Sequence, residues 1–424
     1  MLSNISIPLL GIADTAILGH LDDAFYLGAV SVGSSIMAMV LWTFSFLRTS
    51  TTGLTAQQHG ADSSAAIQTT LYRAMLLSIL LSLVLFALRP LILGAALGFV
   101  DASPTVDGLA KSYSGIRFYS LPAVLLTYCL TGWLIGIQNT RAVMLILITT
   151  NSLNIVLDLV FIMLLGLKSD GAAWATVIAE YAGCTIAVGV FIRHYRSIKG
   201  SRWPGFILLF DTGAILRLLK MNGDLMLRTF CLLFCFLFLS AKGAQQGDLT
   251  LAANAILLQL VLLSAFALDG FAHAAESLCG FAIGRRDIKQ FHATVKACLW
   301  WCLGTSLMIT LLLLLGRDLI VYQYSSIEAV QQELTLYFYW LLALPLAAVW
   351  CYLFDGVFIG AAQTKAMRNS MLACTLLVFL PLWYVSQGMG NHGLWMAFLV
   401  FNAFRGVTLG VYYWVYSRRG VWVA

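Results

Sequence analysis

Long apolar stretches separated by short polar loops recur along the whole 424-residue chain. Most of these stretches hold about 20 residues or more, the length that an α-helix needs to cross the hydrocarbon core of a membrane. The pattern predicts an all-α polytopic membrane protein with 12 transmembrane helices. The predicted spans lie near residues 3–20, 25–56, 70–98, 113–137, 142–167, 171–192, 222–242, 249–281, 290–315, 332–361, 366–386 and 391–416.

Composition excludes the main soluble classes. Hydrophobic residues make up 60% of the chain and charged residues 10%, and the mean hydropathy is +0.88. A soluble domain carries about 25% charged residues, so a globular, disordered or disulfide-rich secreted protein is excluded. The net charge of +6 comes from basic residues in short loops, with no continuous basic stripe. We therefore expect the lipid bilayer as a partner and no nucleic acid.

The two halves of the chain repeat each other at an offset of 224 residues. The matching positions are Leu27-Gly28-Ala29 with Leu251-Ala252-Ala253, Gly19 with Gly243, Gly60 with Gly284, Gly132 with Gly356, Gly136 with Gly360 and Thr140 with Thr364. One offset over more than 100 residues indicates an internal duplication. We predict two six-helix lobes, residues 1–192 and 221–424, joined by a basic linker, residues 193–220. Six helices per lobe imply a pseudo-twofold axis along the membrane normal and a cleft between the lobes, as in transporters.

Charged residues in the loops predict the orientation. Loops after even-numbered spans hold most of the arginines and lysines, whereas loops after odd-numbered spans are rich in aspartate. Because basic loops stay in the cytoplasm, both termini are predicted to be cytoplasmic. We expect a monomer in a bacterial-type inner membrane.

Acids inside the spans are the first candidates for function. A charge at the centre of a bilayer costs at least about 2.5 to 3.5 kcal/mol, so such residues are rarely tolerated without a role. The candidates are Asp14 in the first span, Asp158 in the fifth, Glu180 in the sixth, Asp269 and Glu276 in the eighth, and Asp355 in the tenth.

Asp14 follows Pro8 by six residues in the predicted first span. A proline inside a helix removes a backbone hydrogen bond and bends or breaks the helix, so we expect a helix kink at Pro8. Protonation of Asp14 would then shift a bendable helix between two forms. The alternative is that Asp14 only caps or hydrogen-bonds a neighbouring helix.

Polar residues at helical spacing accompany two of the other acids. Asn154 and Asp158 are four residues apart and share one face of the fifth helix, and Thr176 and Glu180 repeat this spacing in the sixth. An amide beside a carboxylate can share a proton or orient an ion. The alternative for all four residues is hydrogen bonding between packed helices.

The second half carries its own polar positions. Asp269, His273 and Glu276 form a stripe on the eighth helix, where the imidazole is either a titrating group or a core residue. Asp355 precedes a pair of glycines that allow close helix packing. Arg48 and Arg228 are the expected counter-ions.

Sequence motifs for enzyme chemistry are absent. No phosphate loop, GxSxG, HExxH or CxxC pattern occurs, and the nine cysteines fall in apolar runs, where they act as small hydrophobic residues. We therefore expect no enzyme activity, no metal site and no cofactor, and energy from a proton or sodium gradient.

Several stretches resemble one transporter family. Residues 8–20 resemble the first-helix signature of the multidrug and toxic compound extrusion (MATE) family, and residues 267–276, 355–360 and 367–371 are similar to its DinF branch. The resemblance implies a 6+6 antiporter that exports small cationic, amphipathic compounds in exchange for protons or sodium ions. It also implies that Asp14, Asn154, Asp158 and Thr176 belong to a polar network in the N-terminal lobe.

Two departures from the family pattern matter. Asp355 matches an acid of a sodium site in another branch, but residues 229–241 lack the seventh-helix acid of that site. This favours proton coupling through Asp14 and Asp158. The chain also starts only seven residues before Pro8, so we expect Met1 to be internal to a longer reading frame.

A flippase for lipid-linked precursors is the nearest alternative function. It should present basic residues to anionic headgroups, whereas the interior candidates here are mainly acids. A membrane scaffold or an intramembrane enzyme is a weaker alternative, because acids recur inside the spans and catalytic motifs are missing.

Overall fold

The fold is a set of long apolar helices. The computed structural model describes residue 17 and the ranges 23–100, 103–197 and 211–423, which contain helices and no strand. Within these ranges, 11 helices are long and apolar enough to cross a membrane, and they correspond to the second to twelfth predicted spans. The predicted first span lies outside the described residues apart from Ile17. The predicted all-α polytopic class is confirmed.

Contacts divide the chain into two compact units, of which one ends at Arg217 and the other begins at Leu218. The predicted lobe bounds remain a prediction, because much of the 193–220 stretch lies outside the described residues. The helices of the first unit are α1 (Ala24–Thr43), α2 (Phe46–Gly60), α3 (Ser64–Ala87), α4 (Arg89–Val100), α5 (Pro104–Arg117), α6 (Leu121–Gly136), α7 (Thr140–Asp158) and α8 (Lys168–Ser197). The helices of the second unit are α9 (Thr212–Ala244), α10 (Asp248–Gly284), α11 (Ile288–Leu315), α12 (Arg317–Tyr324), α13 (Glu328–Gly360), α14 (Thr364–Ala373), α15 (Leu380–Val385) and α16 (Asn391–Arg419).

Some spans are interrupted where the sequence predicts one continuous segment. The predicted third span, 70–98, is divided into α3 and the short helix α4, which begins at Arg89-Pro90. Proline lacks a backbone N–H and fits the first turn of a helix, so Pro90 ends one helix and opens the next. A 3₁₀ turn at Phe118–Ser120 similarly separates α5 from α6.

The 224-residue register recurs in the backbone. Residues with positive φ lie in the turns after equivalent helices, at three pairs of positions that are 224 residues apart. In two of these pairs neither residue is glycine. The pairs are Asp62 (φ 52°) with Arg286 (φ 57°), Gln138 (φ 63°) with Ala362 (φ 55°), and Gly166 (φ 63°) with Gly390 (φ 57°). Non-glycine residues rarely adopt this conformation, so the shared positions strongly support the predicted duplication.

Equivalent glycines also make equivalent helix contacts. A Cβ atom at Gly132 would overlap the backbone carbonyl oxygen of Arg48, and one at Gly356 would overlap that of Ala272, which lies 224 residues after Arg48. The contact between Gly136 and the Thr52 carbonyl recurs between Gly360 and the Glu276 carbonyl. These contacts hold α6 against α2 and α13 against α10 at backbone distance.

Gly356→Ala is expected to destabilise the protein by about 1–3 kcal/mol, the usual cost of overpacking a tight contact. The added methyl group would meet backbone rather than a movable side chain. The measurement is the thermal unfolding midpoint of the purified protein in detergent. Gly304→Ala is the matched control, because a Cβ atom at that α11 position meets no atom within 4 Å. Equal midpoints for the two variants would contradict the proposed packing.

The interiors of the two units differ in chemistry. The second unit has a large aromatic core that includes Phe338, Phe379, Trp395, Phe398 and Phe401. The first unit buries many hydroxyl groups on α2, α3, α5 and α6. These include Ser50, Thr51, Thr52, Thr55, Thr70, Ser78, Ser82, Ser114 and Thr131.

Candidate functional site

Asn154, Asp158 and Thr176 form one buried hydrogen-bonded group in the first unit. Asn154 and Asp158 are each only 1% exposed. The side-chain amide of Asn154 is assigned the orientation in which both its nitrogen and its oxygen have hydrogen-bond partners. In this orientation Asn154 donates from Nδ2 to Asp158 Oδ2 at 2.9 Å. Its oxygen then accepts from the Thr176 backbone N at 3.1 Å and Oγ1 at 3.0 Å. The structure therefore brings these three predicted residues into direct contact.

Local helix geometry explains this arrangement. Asn154 and Asp158 are one turn apart on α7, and α7 packs against α8, which carries Thr176. Immediately after Asp158 the helix widens into a π-helical segment, Leu159–Leu164. Such segments are rare and are frequently found at functional sites. Asp158 thus stands at a local change in helix geometry.

Glu180 lies one turn further along α8 and has a different partner. Its Oε2 is 3.2 Å from Nη1 of Arg117, at the end of α5. Arg48, Arg117 and Glu180 are all within electrostatic range of the Tyr128 side chain. The sequence predicted Arg48 as a counter-ion but did not identify Arg117.

Asp14 and Pro8, predicted as a coupling acid and a helix kink, lie outside the described residues. Their proposed roles remain predictions from the sequence and from the family resemblance.

The predicted stripe on α10 contains a contact between His273 and Glu276. His273 Nδ1 lies 3.5 Å from Glu276 Oε1, and Glu276 is fully buried. Asp269 is partly buried one turn before His273. The Glu276 backbone also forms the close contact with Gly360, so this part of α10 has a clear packing role as well.

Asp355 is held by two arginines. Arg228 of α9 and Arg405 of α16 both pair with its Oδ2 atom, Arg405 Nη2 at 2.8 Å. Arg405 is 4% exposed and also donates from Nη1 to Asn402 Oδ1 at 3.1 Å. Arg228 was expected as a counter-ion, whereas Arg405 was missed. This carboxylate is therefore paired with two positively charged groups.

Asp224 is a buried acid that the sequence reasoning overlooked. It accepts from Arg368 Nη1 at 2.7 Å and from Thr364 Oγ1 at 3.1 Å. The residue stands at the edge of the predicted seventh span, where acids are ordinarily hydrated, but α9 begins earlier, at Thr212. The i, i+4 spacing of Asp224 and Arg228 on one helix face was the available signal.

Comparison with known proteins decides the family. The MatE family model matches residues 1–160 and 225–385. The chain belongs to the MATE family. It is 40% identical over 429 residues to the DNA damage-inducible protein F of Escherichia coli (strain K12), covering 100% of this chain and 91% of that protein. It is 23% identical to the probable multidrug resistance protein NorM of Bacillus subtilis (strain 168), over 76% of this chain and 71% of that protein.

Solved MATE structures share the fold. An outward-facing MATE family transporter of the MOP superfamily matches with a TM-score of 0.89 at 19% identity, covering 100% of this chain and 94% of that chain. A mutant of the Vibrio cholerae MATE transporter VcmN matches with a TM-score of 0.86 at 21% identity, covering 98% of this chain and 94% of that chain. The predicted MATE-like fold is therefore confirmed, and the family consists of transporters rather than enzymes.

Proposed function

We propose that this MATE protein is a secondary active antiporter that exports cationic, amphipathic compounds in exchange for protons. The observation that carries the proposal is the hydrogen-bonded group of Asp158, Asn154 and Thr176, buried among apolar helices. An intramembrane acid held in this way is the expected form of a proton-binding site.

The donor that faces Asp158 favours a proton over a metal cation. Asn154 turns its N–H toward the carboxylate and uses its oxygen to accept from Thr176. A hard cation such as sodium is bound by several oxygen ligands. An N–H donor in that position is a poor ligand, whereas it does not prevent protonation of a carboxylate oxygen.

Asp355 of the second unit supports the same assignment. Arg228 and Arg405 both pair with its Oδ2 atom, and Arg405 is 4% exposed. A carboxylate paired with two guanidinium groups has little attraction for a further cation. We therefore assign coupling to the first unit, at Asp158 together with Asp14, whose role follows from the family resemblance.

Linkage accounts for the exchange. If the protonated and the substrate-bound forms favour different conformations, proton and cationic substrate lower each other's affinity. The protein would act as a monomer in the inner membrane with both termini in the cytoplasm, as the loop charges predict.

The test uses purified protein in liposomes loaded with a cationic dye. Dye movement is followed under an imposed pH gradient without sodium, and separately under a sodium gradient without a pH difference. We expect the pH gradient alone to drive transport. Transport under the sodium gradient alone would overturn proton coupling, and no dye movement under either gradient would favour a flippase.

A further inference from the structure

We propose that the first unit contains a proton pathway leading from Asp158, through Glu180 and the hydroxyl groups around α2, to a cavity at the predicted cytoplasmic end of that unit. The proposal rests on the proton coupling proposed above and adds the route by which the proton leaves. The pathway lies within one unit.

The cavity forms the outlet. It has a volume of about 420 Å³, and its lining includes His59, Asp62, Gln68, Asn139 and His194. These residues lie at or near the helix ends whose loops are predicted to be cytoplasmic. Two imidazole side chains and a carboxylate therefore line this cavity, and all three can form hydrogen bonds with water.

Polar groups continue inward from the cavity. Gln58, next to His59 on α2, donates from Nε2 to Thr70 Oγ1 at 2.7 Å. Gln58 Oε1 and Thr55 Oγ1 are buried and have no hydrogen-bond partner among the described residues. Buried polar atoms of this kind are usually satisfied by internal water, so this part of the core fits a short water chain.

The middle of the route is lined by hydroxyl and ionisable groups. Thr51 lies one helical turn before Thr55 on α2. It is fully buried, and its side chain packs against Gly132 of α6. Further from the cavity, Tyr128 lies one turn before Gly132 on α6 and is within electrostatic range of Arg48, Arg117 and Glu180. We place this part of the route between the hydroxyl-rich core and the Glu180–Arg117 pair.

Glu180 links this core to the proposed proton-binding site. It lies one turn from Thr176 on α8, and Thr176 contacts Asn154, which is bound to Asp158. Glu180 Oε2 is near Arg117 but makes no aligned hydrogen bond with any described residue. A buried oxygen without an aligned partner is open to a water molecule of the proposed pathway.

The internal repeat provides a control within the molecule. The second unit repeats the helix contacts of the first. The residue 224 positions after each first-unit residue therefore shows which side chain the same packing accepts. At seven polar positions of the first unit the equivalent residue is apolar or cysteine, whereas Tyr128 is matched by Tyr352. The pairs are Thr51 with Ala275, Thr55 with Cys279, Gln58 with Ala282, Ser78 with Cys302, Arg117 with Leu341, Thr127 with Cys351 and Glu180 with Phe404. The fold thus does not need these polar groups, which supports a role in proton movement.

Each proton transfer conserves atoms and charge. The protonated carboxyl of Asp158 gives up its proton and becomes a carboxylate. Internal water carries the proton past the Asn154–Thr176 contact to Glu180, which accepts it and is briefly neutral beside Arg117. Glu180 then passes a proton to the chain of water molecules and hydroxyl groups, which releases one at the cavity, and Glu180 again becomes a carboxylate.

The test compares net transport with exchange in dye-loaded proteoliposomes. Exchange of dye for dye needs no net proton release, whereas proton-driven transport does. We expect Glu180→Gln and Thr55→Val to slow proton-driven transport about a hundredfold, the lower end of the effects for losing a proton-transfer group, with exchange unchanged. Thr185→Val, which removes an exposed hydroxyl of α8, is the matched control and should match wild type in both assays.

Three other results would overturn the proposed pathway. Equal loss of transport and exchange in both variants would indicate a structural role and overturn the pathway. Wild-type proton-driven rates in both variants would also overturn it, while proton coupling itself would stand. If the wild-type protein shows exchange but no proton-driven transport, the proposed proton coupling fails and the pathway fails with it.

Discussion

Asp158→Asn is expected to abolish proton-driven export while leaving the protein folded. Asparagine keeps the size of the side chain and can still hydrogen-bond Asn154, but it cannot bind and release a proton. Losing the coupling group removes the link between the gradient and the substrate, so transport should fall to the level of empty liposomes. The measurement is dye transport under a pH gradient in sodium-free proteoliposomes.

The matched control is Asp248→Asn, which makes the same chemical change at an exposed acid at the start of α10. Its transport rate should equal that of the wild type. A folded Asp158→Asn protein with full proton-driven transport would remove Asp158 from the coupling site.

Asp355→Asn is expected to act on stability rather than on coupling. Removing the carboxylate leaves the charges of Arg228 and Arg405 without their shared partner, and Arg405 is almost completely buried. Breaking a buried ion pair from one side typically costs about 3–5 kcal/mol. We expect a strong decrease in the thermal unfolding midpoint in detergent and a low yield of folded protein.

A triple variant separates charge balance from a coupling role. Arg228→Met, Asp355→Leu and Arg405→Met together remove every charge of the cluster, so much of the lost stability should return. Proton-driven transport by the folded triple variant would support a structural role for Asp355. A stable Asp355→Asn protein that has lost proton coupling would instead identify Asp355 as a coupling residue.

Much of the fold could be predicted because membrane helices leave a strong signal in the sequence. The length of the apolar stretches locates the second to twelfth spans. The 224-residue offset pairs positions with the same backbone conformation, such as Asp62 and Arg286, which both have positive φ in the turn after a helix. The interruption at Pro90 was missed because apolar length does not distinguish one long helix from two shorter ones.

The candidate site was predictable only where its residues share a helix. Asn154 and Asp158 are one turn apart, so their contact follows from helical spacing. Spacing also singled out Thr176 on the next helix, and the family resemblance placed it in the same network. Pairs between distant helices, such as Asp224 with Arg368 and Asp355 with Arg405, depend on tertiary packing. Nothing in the spacing of a single sequence specifies such partners.

The most direct test of the account is proton release on substrate binding. A cationic dye is added to purified protein in weakly buffered detergent solution, and the pH change is recorded beside the dye-binding signal. If proton and substrate exclude each other through Asp158, wild-type protein releases protons as dye binds, and Asp158→Asn binds dye without that release. Dye binding to the wild-type protein with no proton release would contradict the account.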